Sequence, residues 1–260
     1  MAITLRSRRE IELMRQAGVV VADVLSELQR IAAPGMTTGH LDKVALDMTA
    51  QAGAEALFKG VPHPKGRKPF PGAICASIND EVVHGIPSET AALKDGDLLS
   101  VDFGVRLNGY CGDAAVTVPI GNVAEVNRRL MDVTREVLDI AISMARPGVK
   151  WSQVAARMQK HAESAGFSVV RDFVGHGIGT RMHEDPKVPN FVSRDLLEDD
   201  ILLTEGMVIA VEPMINAGGY GVRTLGNGWT VVTKDGRFSA HFEHTIAIVK
   251  GGCEVLTRPR

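Results

Sequence analysis

Two aspartates held in one hairpin constrain this chain more than any other feature of its sequence. Asn108-Gly109 lies between two apolar runs, Leu98–Leu107 and residues 110–118. An Asn-Gly pair in that setting is a strong signal for a two-residue β-turn. With Leu107 facing Tyr110, Asp102 faces Ala115, and Asp113, two residues from Ala115, shares its face. The two carboxylates become diagonal neighbours, with Cβ atoms ~7 Å apart or less. Like charges held that close in buried strands need a cation or a shared proton.

Three further residues fit a cation. His176 lies in Gly175-His176-Gly177-Ile178-Gly179, Glu212 follows the apolar run 207–211 and precedes Pro213, and Glu243 lies in the last long strand, in His241-Phe242-Glu243-His244-Thr245. Four carboxylates and one imidazole make an oxygen-dominated set that suits Mn²⁺, Fe²⁺ or Co²⁺ better than a structural zinc site. With bridging carboxylates, five such residues could hold two ions about 3.5–4 Å apart and activate a water. Singly, each has a plainer reading: Asp102 as an edge charge facing solvent, Glu212 as a strand-end carboxylate, His176 as a turn residue. The glycines around His176 are not a nucleotide-binding fingerprint, which needs a preceding strand and a following helix.

The chain has 260 residues, enough for one large core or two fused halves. A formal net charge of -2 asks for neither nucleic acid nor a membrane surface. The cysteines, Cys75, Cys111 and Cys253, form no CxxC pair, which fits a reducing compartment. The N-terminus has no apolar core of signal-peptide length, and no apolar run reaches the ~18 residues of a membrane span, so the expected address is the cytoplasm.

Helical spacing predicts helices over 8–31, 38–52, 124–145 and 151–165, the first capped by Ser7 with Glu10 three residues on. Residues 59–73, rich in Pro, Gly, Lys and Arg, read as a loop; strands are expected at 75–78, 168–173, 207–215, 229–233 and 240–249. Two helices followed by strands occur twice, hinting at two similar halves, with no linker to divide residues 1–260 into separate domains. Arg6, Arg8 and Arg9 read as a solvated helix start. His40, His63, His161 and His241 read as surface or turn residues. Alternation turns His244, next to Glu243, to the opposite sheet face.

Taken in order, Asn79-Asp80-Glu81-Val82-Val83-His84-Gly85-Ile86-Pro87, Val101-Asp102-Phe103-Gly104, Gly109-Tyr110-Cys111-Gly112-Asp113, the glycines around His176, Met182-His183-Glu184-Asp185-Pro186, Glu212-Pro213, Trp229-Thr230 and Phe242-Glu243-His244-Thr245 span nearly the whole chain. This set resembles the methionine aminopeptidases, type I. The resemblance implies an α+β pita-bread fold, two pseudo-symmetric halves with helices packed on a central antiparallel sheet. It implies two divalent ions (Co, Mn or Fe(II)) on Asp102, Asp113, His176, Glu212 and Glu243, with Asp113 and Glu243 bridging. It makes His84 a contact to the scissile amide, His183 a hydrogen-bond donor to the substrate carbonyl, and Glu212 a proton relay for a metal-activated water. Phe70, Cys75, Met182 and Trp229 line the methionine pocket by the same likeness. The enteric bacterial pattern has Phe where Met182 stands, and Tyr at Phe70 and Phe242; all three changes stay apolar.

The implied reaction is removal of the initiator methionine from nascent proteins with a small second residue. The implied enzyme is monomeric, touches the ribosome transiently, and needs no nucleic acid or membrane. With Ala2 second, the chain's own Met1 is an expected substrate. An X-Pro dipeptidase or aminopeptidase P shares fold and ligands, but usually carries a large extra N-terminal domain, and only about 70 residues precede the strand at Cys75 here. A non-catalytic binding protein on this fold would have lost ligands, and all five positions are intact. No room exists between His183 and Glu212 for the helical insertion of the type II enzymes, so the chain resembles the short bacterial form.

Overall fold

Helix α1 (Arg8–Ile31) starts on a reciprocal cap: the Glu10 N–H donates to the Ser7 hydroxyl, and the Ser7 N–H donates to the Glu10 carboxylate at 2.8 Å. A computed structural model describes residues 3–259; Met1, Ala2 and Arg260 lie outside the described residues, and with them the expected self-processing site. Thr37 caps α2 (Thr38–Gln51) in the same way, its side chain accepting from His40 N–H.

The strands of the first half are β1 (Glu55–Ala56), β2 (Cys75–Ile78), β3 (Glu81–Val83), β4 (Leu98–Leu107) and β5 (Tyr110–Pro119). The second half repeats the plan with α3 (Glu125–Met144) and α4 (Trp151–Ser164), then β6 (Ser168–Val169), β7 (Gly175–Gly177), β8 (Glu184–Val188), α5 (Arg194–Glu198), β9 (Val208–Val211) and β10 (Met214–Asn216). It ends with β11 (Val222–Thr224), β12 (Val231–Thr233), β13 (Ser239–His241), β14 (Glu243–Val249) and β15 (Gly252–Val255). Nine strands form one antiparallel sheet in the order β1-β4-β5-β14-β9-β7-β8, with β2 added on β4 and β15 on β14. Two three-stranded sheets, β13-β10-β6 and β11-β12-β3, stand beside it.

Each helix pair buries its apolar stripe in its own core. Val21, Leu25, Leu28 and Leu41 pack on Val101 and Phe103 in the first half; Leu130, Val137, Trp151 and Met158 pack with Ile209, Ile246 and Ile248 in the second. Helix α1 approaches β5 backbone to backbone. A Cβ on Gly112 would stand 2.7 Å from the Gly18 nitrogen, and one on Gly18 would stand 2.3 Å from the Leu256 carbonyl oxygen.

The hairpin register is the predicted one, with Leu107 opposite Tyr110 and Asp102 opposite Ala115. The three cysteines are free. Among the described residues no helix is long and apolar enough to cross a membrane.

Several expectations are corrected. The strand expected over 207–215 breaks at Glu212-Pro213, because proline has no N–H for a ladder. The strand expected over 240–249 breaks at Phe242. The two breaks lie side by side: β9 pairs with β14 in the large sheet, and β10 with β13 in a small one. The chain thus changes sheets at Glu212 and just before Glu243. The strand expected over 229–233 begins only at Val231, and that over 168–173 stops at Val169. Arg6 is not solvated; its side chain is buried against Glu184, while Arg8 and Arg9 are exposed. His241 is no surface residue. It is 1 % exposed, because β13 runs inside the molecule and exchanges hydrogen bonds at 2.8 Å with the Thr117 hydroxyl through its N–H and carbonyl.

Candidate metal centre and substrate cavity

Sheet register assembles the acidic centre. Cys75 on β2 lies opposite Asp102 on β4, Asp102 opposite Ala115 on β5, and Ala115 opposite Glu243 on β14. Asp113 lies opposite Gly104, and His176 on β7 lies opposite Ala210 on β9. Small residues at Gly104 and Ala115 leave the face clear for the carboxylates. A Cβ on Gly104 would come within 2.8 Å of Met182 Cε and 3.1 Å of Asp113 Oδ1.

Ligand atoms of Asp113, His176 and Glu243 lie within 4.8 Å of one another. His176 Nε2 is 3.8 Å from Asp113 Oδ2 and 3.7 Å from Glu212 Oε1. Its Nδ1 lies 2.9 Å from the Gly177 carbonyl. A proton on Nδ1 serves that bond and leaves Nε2 free to ligate.

The donor set fits cations. Asp102 Oδ1, Asp113 Oδ1 and Glu243 Oε1 are buried and have no hydrogen-bond partner. Among the described residues, the only basic nitrogen within 4 Å of these four acids is His176 Nε2. Burial pushes the Asp113 carboxyl up to about 7. Burial, then the Asp113 charge, raises Asp102 well above the usual carboxylate range. Burial, then the neighbouring carboxylates, does the same to Glu212 and Glu243. Burial and mutual repulsion disfavour the charged forms of these acids; divalent ions would satisfy both the charge and the orphaned oxygens.

Every residue named above for the site lines one cavity of about 390 Å³. The carboxylates and His176 are part of its lining. Phe70 and Cys75 are buried in its wall, with Met182 and Trp229 half-buried beside them. Trp229 meets the Phe70 ring edge-on at 5.3 Å and donates Nε1 to the Lys68 carbonyl at 3.0 Å. Burial keeps the Cys75 thiol protonated, with the charge of Asp102 adding to it.

His84 follows β3 with φ +59, a left-handed backbone costly for a side-chain-bearing residue. Its ring stands edge-on to Phe173 at 5.6 Å, and its carbonyl accepts from the Thr230 hydroxyl at 3.3 Å. His183 lies 4.3 Å from His176, ring to ring. Burial lowers the His84 and His176 pKa values to about 4, with the nearby His183 adding to this, and also lowers that of His183. His84 and His176 are therefore neutral at pH 7.

Sequence reasoning missed several contributors. Leu57, Phe58 and Val61 also wall the cavity, from the loop after β1, and Arg106 reaches it from β4. Thr245 holds the Asp113 backbone: its hydroxyl donates to the Asp113 carbonyl at 2.8 Å and accepts the Asp113 N–H at 3.2 Å. Asn190 donates to the Glu212 carbonyl at 3.1 Å. Only Thr245, two residues from Glu243, could have been found by alternation. His244 turns away from the acids to the Thr257 hydroxyl at 2.9 Å, as alternation predicts.

The sequence signature of metallopeptidase family M24 matches residues 12–250. The chain belongs to that family. The methionine aminopeptidase of Clostridium acetobutylicum is 45 % identical over 255 residues, 98 % of each chain. The crystal structure of the Thermotoga maritima methionine aminopeptidase superposes with a TM-score of 0.92 at 41 % identity, covering 99 % of this chain and 100 % of that one. A Pyrococcus furiosus prolidase superposes with a TM-score of 0.77 at 20 % identity, covering 98 % of this chain and 66 % of that one, a likeness of fold. This M24 chain thus has the expected α+β pita-bread fold, a central antiparallel sheet with a helix pair on each half.

Proposed function

We propose that this M24 metallopeptidase hydrolytically removes the initiator methionine from nascent proteins whose second residue is small, acting in the cytoplasm as a monomeric single-domain enzyme that touches the ribosome transiently. The observation that carries the reading is the convergence of orphaned carboxylate oxygens and His176 in the lining of an apolar-walled cavity. The names and full-length identity of the relatives support the substrate.

Asp102, Asp113, His176, Glu212 and Glu243 would hold two divalent ions (Co, Mn or Fe(II)). Bound there, the ions supply a Lewis acid and lower the pKa of water to near neutrality. The rest is the chain's own work. Phe70, Cys75, Met182 and Trp229 enclose a methionine side chain and exclude water from it. Glu212, which keeps surface open to the cavity, takes up the proton of the attacking water and passes it toward the leaving amine. His183 donates to the substrate carbonyl and stabilises the charge that develops on its oxygen. His84, fixed by its left-handed turn, positions the scissile amide.

The test is peptide cleavage by metal-stripped protein, with and without added Co²⁺ or Mn²⁺, on Met-Ala-Ser, Met-Lys-Ser and Ala-Pro-Ala, with Asp102→Ala as control. Metal-dependent release of methionine from Met-Ala-Ser alone is expected. Cleavage of Ala-Pro-Ala instead would make the chain an X-Pro enzyme, and no cleavage by metal-loaded, folded protein would leave a binding role.

A further inference from the structure

The segment between β1 and β2 carries four cations, Lys59, Lys65, Arg67 and Lys68, and no acidic residue. Residues 61–70 leave the fold and return to it: the Gly60 N–H donates to the Phe70 carbonyl at 2.8 Å and the Phe70 N–H to the Val61 carbonyl at 3.0 Å. Such a closed excursion is a compact loop rather than a loose connection. It is also fastened to residues 226–229, of which Trp229 lines the substrate cavity. His63 Nε2 lies 3.0 Å from the Gly228 carbonyl, Arg67 donates to the Gly226 carbonyl at 3.1 Å, and the Lys68 carbonyl accepts from Trp229 Nε1.

Between this loop and the 226–229 turn lies a second cavity, of about 370 Å³. It adjoins the substrate cavity, with His84 and Trp229 lining both. The titratable groups on its walls are His63, Lys65, Arg67 and His84, with no carboxylate among them. Arg67 is bonded to a neutral carbonyl, and the Lys65 ammonium has no ion-pair partner among the described residues. The positive charge is therefore uncompensated at a place where the whole chain, at -2, would repel an acidic peptide.

We propose that this second cavity is the exit groove for the substrate chain beyond the scissile bond, and that Lys65 and Arg67 make it favour acidic side chains at the fourth and fifth positions of the substrate. The inference rests on the aminopeptidase reading above. With methionine between Phe70 and Trp229 and the scissile amide at His84, this is the cavity that adjoins the substrate cavity at His84. An extended chain advances ~3.3 Å per residue, so the second residue stays near His84 and the following ones meet the loop. Exposed charge pairs of this kind are modest and are screened by salt.

The experiment compares amidated Met-Ala-Ser-Asp-Asp-Ser, Met-Ala-Ser-Ser-Ser-Ser and Met-Ala-Ser-Lys-Lys-Ser on metal-loaded wild type, Lys65→Gln and Lys65→Glu, at low salt and at about 0.3 M salt. The readout is the ratio of kcat/KM for the acidic and basic peptides within each protein, so a change in overall rate does not enter. Wild type is expected to favour the acidic peptide about three- to ten-fold at low salt, mostly through KM. The ratio should fall toward one in high salt and in Lys65→Gln, and invert in Lys65→Glu. Equal kcat/KM for the three peptides, or a ratio indifferent to both Lys65 changes, overturns the groove while leaving the aminopeptidase in place. Failure to release methionine even from the serine peptide overturns both.

Discussion

Replacing Asp113 by Asn separates the electrostatic cost of the acidic centre from its packing. The two side chains are nearly isosteric, and Asp113 is only 3 % exposed. Burial lifts its carboxyl from 3.8 to about 7, against a smaller downward pull from the Ala114 N–H. In metal-free protein the folded state therefore keeps this proton until about pH 7, while the unfolded chain releases it near pH 4. The folded state binds more protons across that window, so stability falls as pH rises through it. The full shift corresponds to about 4 kcal/mol, of which about 3 kcal/mol falls between pH 5 and pH 8. Asn cannot ionise. Metal-free Asp113→Asn should gain about 3 kcal/mol on metal-free wild type between those pH values, or about 6–12 °C in Tm for a chain of this length. The assay is thermal melting by circular dichroism of both chelator-treated proteins from pH 5 to 8. Asp102, Glu212 and Glu243 are relieved of the Asp113 charge in the variant, which adds to the difference in the same direction. Saturating divalent metal should reverse the order at pH 8, because it stabilises the protein with the complete ligand set. Metal-free melting curves that stay parallel across pH would refute this account, since Asp113 would then already be ionised at pH 5 and neutralised from within the protein.

Gly18→Ala would normally stabilise a helix by about 1 kcal/mol. Here the added carbon meets the Leu256 carbonyl, so a loss of about 1–3 kcal/mol is expected in urea unfolding; an unchanged midpoint would mean that α1 does not lie so close. Thr245→Val removes both bonds to the Asp113 backbone and should cost about 1–3 kcal/mol, with a 10- to 100-fold weaker metal affinity by calorimetric titration. Wild-type affinity in that variant would show that Asp113 is oriented by its strand alone. His241, held at about 3 first by burial and then by His84, refuses a proton that the unfolded chain accepts below pH 6.5, so its contribution to stability is lost as pH falls from there toward 3. His241→Gln should therefore recover about 2 kcal/mol relative to wild type between pH 7 and pH 5. Identical acid sensitivity in the two proteins would count against a neutral, buried imidazole.

The sequence made the hairpin legible because its causes are local. Asn108-Gly109 specifies the turn, the turn fixes the register, and a period of two puts Asp102 and Asp113 on one face. The Ser7–Glu10 cap of α1 and the outward turn of His244 follow from neighbours three residues away or fewer. Motifs read in order also carried the likeness to the family. That likeness supplied the identity of the cavity residues, which periodicity alone would not.

Tertiary structure decided the remainder. Alternation tells which face of its own strand Glu243 occupies, but not that β14 pairs with β5, placing Glu243 opposite Ala115 and so beside Asp102. Nothing local marks the burial of His241 or of Arg6 against Glu184, a partner 178 residues away. Pro213 signals a broken ladder, but the crossing of both strands to a second sheet depends on partners brought together by the two cores. Nor does the composition of residues 59–73 show that they close over Trp229. Turn chemistry and side-chain period act over a few residues and can be read along the chain, whereas strand pairing and burial are settled by apolar surfaces that meet only once the whole sheet has formed.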